Sequence, residues 1–207
     1  MGGDGEVGLS ESELAGGWLA QFRDWHEQAR SSGMAEPDAM VLGTASAEGM
    51  PSGRSVLLKG VDERGFEFFT NYDSRKGVEL AENPRASLVF PWYPLQRQVI
   101  AIGSVETVAQ ERSEEYFASR PYRSRLGALS SSQSSVIPDR ATLEQAKARL
   151  EAEYPPDGPV PRPHRWGGFR VVPETVEFWQ GRRDRLHDRL RFRRTQAGGW
   201  IVERLSP

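Results

Sequence analysis

The side chains able to do chemistry in this sequence are mostly cations set beside hydroxyls, and they fall in four clusters. Arginine offers a rigid fork and lysine a point charge to phosphate oxygens, so such clusters suit an anionic, phosphorylated ligand. In Arg54-Ser55-Val56-Leu57-Leu58-Lys59, strand alternation puts Arg54, Val56 and Leu58 on one face and Ser55, Leu57 and Lys59 on the other. Its two cations then face opposite ways, which suits two different ligands; an exposed strand with solvated ends is the plain alternative. Ser74-Arg75-Lys76-Gly77 is a Ser-capped helix start carrying two cations that oppose the helix dipole, a conflict an anion would resolve and an exposed helix end would tolerate. In the run from Tyr116 to Ser124, Tyr116 and Arg120 stand at i and i+4, and the turn at Pro121 can bring Ser124 beside them. A phenol, a guanidinium and a hydroxyl so placed make a cup for a phosphate monoester, or else an ordinary surface helix end.

The fourth cluster follows Glu177-Phe178-Trp179-Gln180: residues 181 to 194 hold Arg182, Arg183, Arg185, Arg189, Arg191, Arg193 and Arg194 against Asp184 and Asp188. Such density suggests an anionic partner, RNA among them. Leu190-Arg191-Phe192-Arg193 nevertheless alternates like a strand, and no aromatic RNA-binding motif accompanies it. His187 on its own reads as structural; beside Arg185 and after an aromatic strand it reads as part of a site. The glycine-rich nucleotide loops and the nucleophile elbow are absent, so a phosphate has to be held by side chains.

The elements that must position these groups change character along the chain. Residues 1 to 9 read as a flexible tail, and residues 10 to 207 as a single domain. Ser10 with Glu13 signals a helix start, after which Leu14, Trp18, Phe22 and Trp25 stack on one face, to pack on a sheet or a partner subunit. From Ala39 onward short β-rich runs follow: 39–46, 53–61, 65–72, 86–92, 97–108, 168–179, 190–194 and 200–205. Turns at 46–49, 62–65 and 196–199 place glycine where hairpins need it. Helices are expected over 74–83, 113–120 and 142–154, each stopped by proline, and the proline-rich 154–165 reads as an extended connector. Strands with inserted helices and no βαβ alternation argue for an α+β, mainly β barrel with peripheral helices.

Bulk properties narrow the function classes. With 207 residues, 37% hydrophobic and 27% charged, the chain is of globular composition, and its net charge of -2 gives no global pull toward nucleic acid or membranes. No cysteine is present, which excludes disulfides and thiolate chemistry and suits a reducing compartment. His26, His164 and His187 lack metal-ligand spacing, so no metal site is expected. No apolar run approaches a membrane span and no signal peptide is evident, so a cytoplasmic location is expected.

In their order and spacing, the runs RSVLLK (54–59), TNYDSRKGVEL (70–80), FPW (90–92), RQV (97–99), YFASRP (116–121), QSS (133–135), WGGFRV (166–171), EFWQ (177–180) and RLHDR (185–189) resemble the pyridoxine/pyridoxamine 5′-phosphate oxidase family. The resemblance implies an FMN-binding split β-barrel that works as a homodimer with its sites at the subunit interface. It assigns Arg54, Arg75, Lys76 and Ser134 to the flavin phosphate and ribityl chain, and Gln98, Gln133, Trp179 and Arg189 to wider flavin contacts. Ser55, Val56, Leu57, Leu58, Lys59, Phe69 and Thr70 complete the implied cofactor set. Lys59, Tyr116, Arg120 and Ser124 would grip the substrate phosphate; Arg185, Leu186 and His187 would close over the pyridine ring, with Arg185 and His187 as catalytic residues. The implied reaction is hydride transfer from the substrate C4′ to flavin N5, then reoxidation by O2 to hydrogen peroxide, giving pyridoxal 5′-phosphate. Two positions depart from the family pattern: MGGDGEV stands where a basic, Tyr-containing segment is common, and Leu129 stands where tryptophan is usual.

Two other readings share these residues. A related FMN oxidase of the phenazine-biosynthesis type would use the same barrel on another substrate. A non-catalytic flavin- or RNA-binding barrel would use the arginine stripe.

Overall fold

The computed structural model describes residues 8–207. Among the described residues nine strands form one antiparallel sheet: β1 (Ala39–Ala45), β2 (Pro51–Leu57), β3 (Gly60–Asp62), β4 (Gly65–Asn71), β5 (Arg85–Trp92), β6 (Arg97–Thr107), β7 (Trp166–Gln180), β8 (Asp188–Arg194) and β9 (Trp200–Arg204). Their order is β2-β1-β5-β6-β7-β4-β3, with β8 on the far half of β7 and β9 on β8. β2 and β3 thus lie at opposite ends of the main path while only Leu58 and Lys59 separate them in sequence, so the sheet has to curl into a barrel. The hand-over is visible in the backbone: Leu58 N–H donates to Asp38 O at 2.9 Å on the β1 side, and Lys59 N–H donates to Glu67 O on β4 at 2.8 Å. The single strand expected over 53–61 is therefore two, because the chain changes partners there.

The hairpin expectations hold. β1–β2, β3–β4 and β8–β9 pair directly, and Gly49, Gly65 and Gly198 sit at φ of 85°, 140° and 87°. β7 is the spine: it pairs with β6 along its length, with β4 through 166–171 and with β8 through 175–180.

Five α-helices are described: α1 (Gly17–Ser31), α2 (Arg75–Glu82), α3 (Gln110–Ser119), α4 (Tyr122–Ser130) and α5 (Arg140–Glu153). The start signalled at Ser10 opens only a 3-10 turn, Glu11–Leu14, in which Glu13 Oε2 accepts from the Ser10 N–H at 2.7 Å. Gly17, at φ 83°, breaks the path from that turn at the first residue of α1. The aromatic stripe then packs on the sheet, with Phe22 fully buried against Phe66 and Phe90, and Trp25 edge-on to Phe178. α4 was not expected. Pro121 ends α3, yet its carbonyl accepts from Ser124 N–H at 2.9 Å and Arg125 N–H at 3.1 Å and so starts the next helix. Between α5 and β7 the proline-rich connector has no regular structure, and it buries Val160 in a second cluster with Phe117, Leu126 and Trp166. Leu129 packs at the edge of that cluster.

Of the expected tail, residues 1–7 lie outside the described residues, as does the MGGDGEV departure. Leu9 is not part of a flexible tail: it is buried, and its N–H donates to Asp188 Oδ2 at 3.1 Å. Arg204 Nη2 donates to Leu9 O at 3.1 Å, so the last of those nine residues is tied to both β8 and β9.

Phe22 joins α1 to β4 and β5, so Phe22→Ala should remove about 3–5 kcal/mol of stability. Urea unfolding followed by tryptophan fluorescence measures this.

Candidate active site

A cleft of about 1040 Å³ opens along the seam where the sheet edges meet. It is lined by Arg54, Ser55, Val56, Leu57 and Lys59 from β2 and the hand-over, Phe69 and Thr70 from β4, and Arg75 and Lys76 from α2. Tyr116, Arg120 and Ser124 from α3, its end and α4, and Gln133 and Ser134 from the following loop, complete that wall. Arg54 and Lys59 were expected on opposite faces. Alternation stops at Leu57, where the chain leaves β1, and both cations line the same cleft. Leu58 does not line it; it is buried in the main core.

The cations are held in distinct ways. Lys76 Nζ is buried and donates to Thr70 Oγ1, Ser74 Oγ and Gln133 Oε1, each at 3.2 Å. All three partners are neutral oxygens. Burial first, and then the nearby Arg54 charge, push the Lys76 ammonium below its ordinary value, while Glu79 acts in the other direction. Arg54 Nη1 donates to Leu42 O at 3.2 Å and Thr44 Oγ1 at 2.5 Å, and its Nη2 donates to Ser52 Oγ and to Glu79 Oε2, the latter at 3.3 Å.

Arg120 is the C-cap of α3, beyond its last turn, and not the i+4 partner of Tyr116 within a helix. Its guanidinium lies 4.8 Å over Trp166, and its Nη1 is buried with no hydrogen-bond partner among the described residues. Burial lowers the Arg120 pKa, with Tyr116 opposing. Phe69, Tyr116 and Trp166 form a parallel stack, with Phe69 and Tyr116 4.2 Å apart, which fixes the phenol against the cleft wall. A buried ammonium bonded only to neutral oxygens and an unpartnered guanidinium nitrogen are the donor set a phosphate-bearing ligand needs.

The remaining expected site residues lie elsewhere on the chain. Gln98 on β6, Trp179 on β7 and Arg189 on β8 occupy one cross-strand row. Gln98, Trp179 and His187 line a separate pocket of about 460 Å³ that shares no residue with the cleft. His187 packs 4.7 Å from Trp179, and its Nδ1 accepts from the Arg182 N–H at 3.0 Å, which places the ring proton on Nε2. Arg189 is engaged by Glu177, with Nε donating to Oε1 at 2.7 Å and Nη2 to Oε2 at 3.2 Å. Arg185 and the exposed Leu186 sit on the loop before β8, where Asp184 and Arg185 have φ of 58° and 62°. Ser134 is also left-handed, at 74°.

Sequence reasoning missed Trp166, Ser52 and Asn71 on the cleft wall, and Glu79 beneath it. Glu79 stands four residues after Arg75 inside the same run, a spacing that signals an ion pair on a helix. Burial works to raise its pKa, but hydrogen bonds from Ser52, Thr44 and Arg75 outweigh that and hold the carboxyl at about 2.

A curled antiparallel sheet with a cation-rich cleft at its seam is the architecture of a split-barrel flavoprotein oxidoreductase, and comparison with known proteins makes the assignment specific. Residues 26–154 match the family model described as pyridoxamine 5′-phosphate oxidase, and residues 166–207 match the pyridoxine 5′-phosphate oxidase C-terminal dimerisation region. The pyridoxine/pyridoxamine 5′-phosphate oxidase of Salinispora arenicola is 55% identical, over 98% of this chain and 91% of its own. Its namesake in Frankia alni is 56% identical, over 96% and 84%. Among solved structures, PhzG from Burkholderia lata in complex with tetrahydrophenazine-1-carboxylic acid superposes with a TM-score of 0.91 at 30% identity, covering 99% of this chain and all of that one. The chain belongs to the pyridoxine/pyridoxamine 5′-phosphate oxidase family and is an oxidase.

Because its folded pKa lies below the ordinary 4.5, Glu79 contributes stability that is present in full above that pH and is lost as the pH falls toward about 2. Glu79→Gln should therefore flatten the fall of stability between these limits, as read from denaturation midpoints across an acid pH series.

Proposed function

We propose that this protein uses FMN to oxidise pyridoxamine 5′-phosphate and pyridoxine 5′-phosphate to pyridoxal 5′-phosphate, as a cytoplasmic homodimer. The observation that carries this reading is that Lys59, Tyr116, Arg120 and Ser124 line one cleft together with Arg54, Arg75, Lys76, Gln133 and Ser134. That cleft has room and charge for two phosphate groups. In the amine case, substrate, O2 and water give aldehyde, ammonia and hydrogen peroxide; in the alcohol case, substrate and O2 give aldehyde and peroxide. Bound FMN supplies the two-electron acceptor.

The chain's own groups bind and orient. Arg54, Arg75, Lys76 and Ser134 take the flavin phosphate and ribityl chain, with Gln133 fixed by the Thr70 hydroxyl, which donates to its Oε1 at 3.0 Å. Lys59, Tyr116, Arg120 and Ser124 take the substrate phosphate, and the stack behind Tyr116 limits how far that end can move. Arg185 and His187, with Leu186, close over the pyridine ring, His187 presenting an Nε2 proton. In one chain these residues and the Gln98–Trp179–Arg189 row stand apart from the cleft. A second copy docked through the dimerisation region would bring that row and the Arg185 loop to the cleft.

The structural kinship with the phenazine-binding protein favours a second reading, an FMN oxidase of a larger aromatic acid. The phosphate cup argues against it, since a ligand without phosphate leaves those cations unpaired. The arginine stripe offers RNA little: Arg182 pairs with Asp188, Arg189 with Glu177, and Arg191 and Arg193 share Glu203. No helix among the described residues is long and apolar enough to cross a membrane.

The purified protein should be yellow and release peroxide with either B6 phosphate; a yellow protein inert to both would transfer the assignment to the phenazine-type reading. Arg120→Ala should raise KM about tenfold or more, the worth of a lost charge-assisted hydrogen bond, with flavin content unchanged. Arg185→Ala and His187→Ala should lower kcat by about a hundredfold while flavin stays bound, as steady-state rates and absorbance together report.

A further inference from the structure

We propose that Glu79 is a positioning residue for the phosphate end of the flavin, holding Arg54 and Arg75 in the geometry in which they meet that phosphate. The inference rests on the reading that these two arginines serve the flavin phosphate. Glu79 is buried on α2, and its carboxylate joins three elements. Oε2 accepts from Thr44 Oγ1 on β1 at 2.5 Å, from Ser52 Oγ on β2 at 2.6 Å and from Arg54 Nη2 at 3.3 Å. Oε1 accepts from Arg75 Nε at 2.8 Å. Thr44 and Ser52 are directly opposite in the β1–β2 ladder, so their hydroxyls present one paired socket to the carboxylate.

The pattern of bonds separates holding from binding. Arg75 gives only its Nε to Glu79, which leaves its two terminal amino groups to meet an anion in the cleft. Arg54 is seated more deeply, against Leu42 O, Thr44, Ser52 and Glu79. Removing the carboxylate charge has two opposed consequences. It leaves the cleft more positive, which attracts phosphate, and it frees the Arg75 guanidinium and takes one of four acceptors from Arg54. The Arg75 side chain is 60% exposed, so its distant Coulomb contribution is screened by solvent while its short hydrogen bonds depend on direction. Orientation is therefore the larger effect, and loss of Glu79 weakens phosphate binding.

The test separates the phosphate end of the flavin from the ring. The full chain is stripped of flavin and titrated with FMN and with riboflavin, which lacks the phosphate, and binding is followed by quenching of flavin fluorescence. Wild type should prefer FMN, and Glu79→Gln should reduce that preference about tenfold, the worth of one charge-assisted hydrogen bond, while riboflavin affinity stays constant. An unchanged preference overturns the proposal, and so does an equal loss for both flavins, which is what a merely structural role would give. Thr44→Val removes, at constant shape, the hydroxyl that donates to Glu79 and accepts from Arg54, and should lower the preference in the same direction. It decides the matter should Glu79→Gln not fold, since an unchanged preference in folded Thr44→Val overturns the proposal too. A wild type that binds both flavins equally would sink the flavin-phosphate reading itself, and this inference with it.

Discussion

The structure depends on one geometric constraint: β2 and β3, the two ends of the main sheet path, are joined by only Leu58 and Lys59. Two residues span a few ångströms, so the sheet cannot lie open and must bring its edges together. Leu58 turns into the core at the junction, and Lys59 bonds to β4 through its backbone while its side chain reaches the cleft. A seam so made is where a curled sheet has neither continuous pairing nor continuous packing. It is also where the backbone offers side chains from β2, β4 and α2 to one space.

What fills that space follows from electrostatics. Arg54, Lys59, Arg75, Lys76 and Arg120 all line the cleft, and Glu79 is bonded to two of them, Arg54 and Arg75. Cations gathered so closely repel, and those drawn partly out of water lose hydration, so the arrangement is favoured by compensation from hydrogen bonds and anions. Thr70, Ser74 and Gln133 supply neutral oxygen to Lys76, and Trp166 supplies a π face to Arg120. These partners satisfy geometry without cancelling charge. Two cations at the start of α2 sit at the positive end of the helix dipole, an unfavourable placement that raises the local positive potential. The cleft is thus a standing positive potential with its donors already aimed, which is the condition for holding phosphate esters tightly.

Much of this was legible in the residues. The strands and hairpins follow from period-two alternation and from turn glycines, both local properties, and the stripe of Trp18, Phe22 and Trp25 announced a helix packed on a sheet or a partner subunit, of which the sheet is what it meets. The clusters around Arg54, Arg75 and Arg120 were visible as chemistry, and most of their members reach one cleft. The failures share a cause. That Arg54 and Lys59 meet in one space depends on a change of strand partner, which no local pattern encodes. Pro121 reads as a stop, and only its carbonyl, bonded forward to Ser124 and Arg125, makes it a start. Leu9 looked like tail because its anchors, Asp188 and Arg204, lie at the other end of the chain.

The separation of the expected site residues into two groups has its own physical logic. Gln98, Trp179 and Arg189 are locked into one row by the registers of β6, β7 and β8, and no loop movement could carry a residue out of three paired strands. The Arg185 loop is different, since Asp184 and Arg185 are held left-handed although neither is glycine. Its base is nonetheless fixed: Asp188 accepts from Leu9 N–H and from Arg204 Nη1, the latter at 2.8 Å, and His187 accepts from the Arg182 backbone. A rigid row and an anchored loop cannot close onto a cleft lined by other strands of the same chain without breaking the sheet. In the proposed dimer no such break is needed, because a rigid second copy would deliver row and loop together, already shaped.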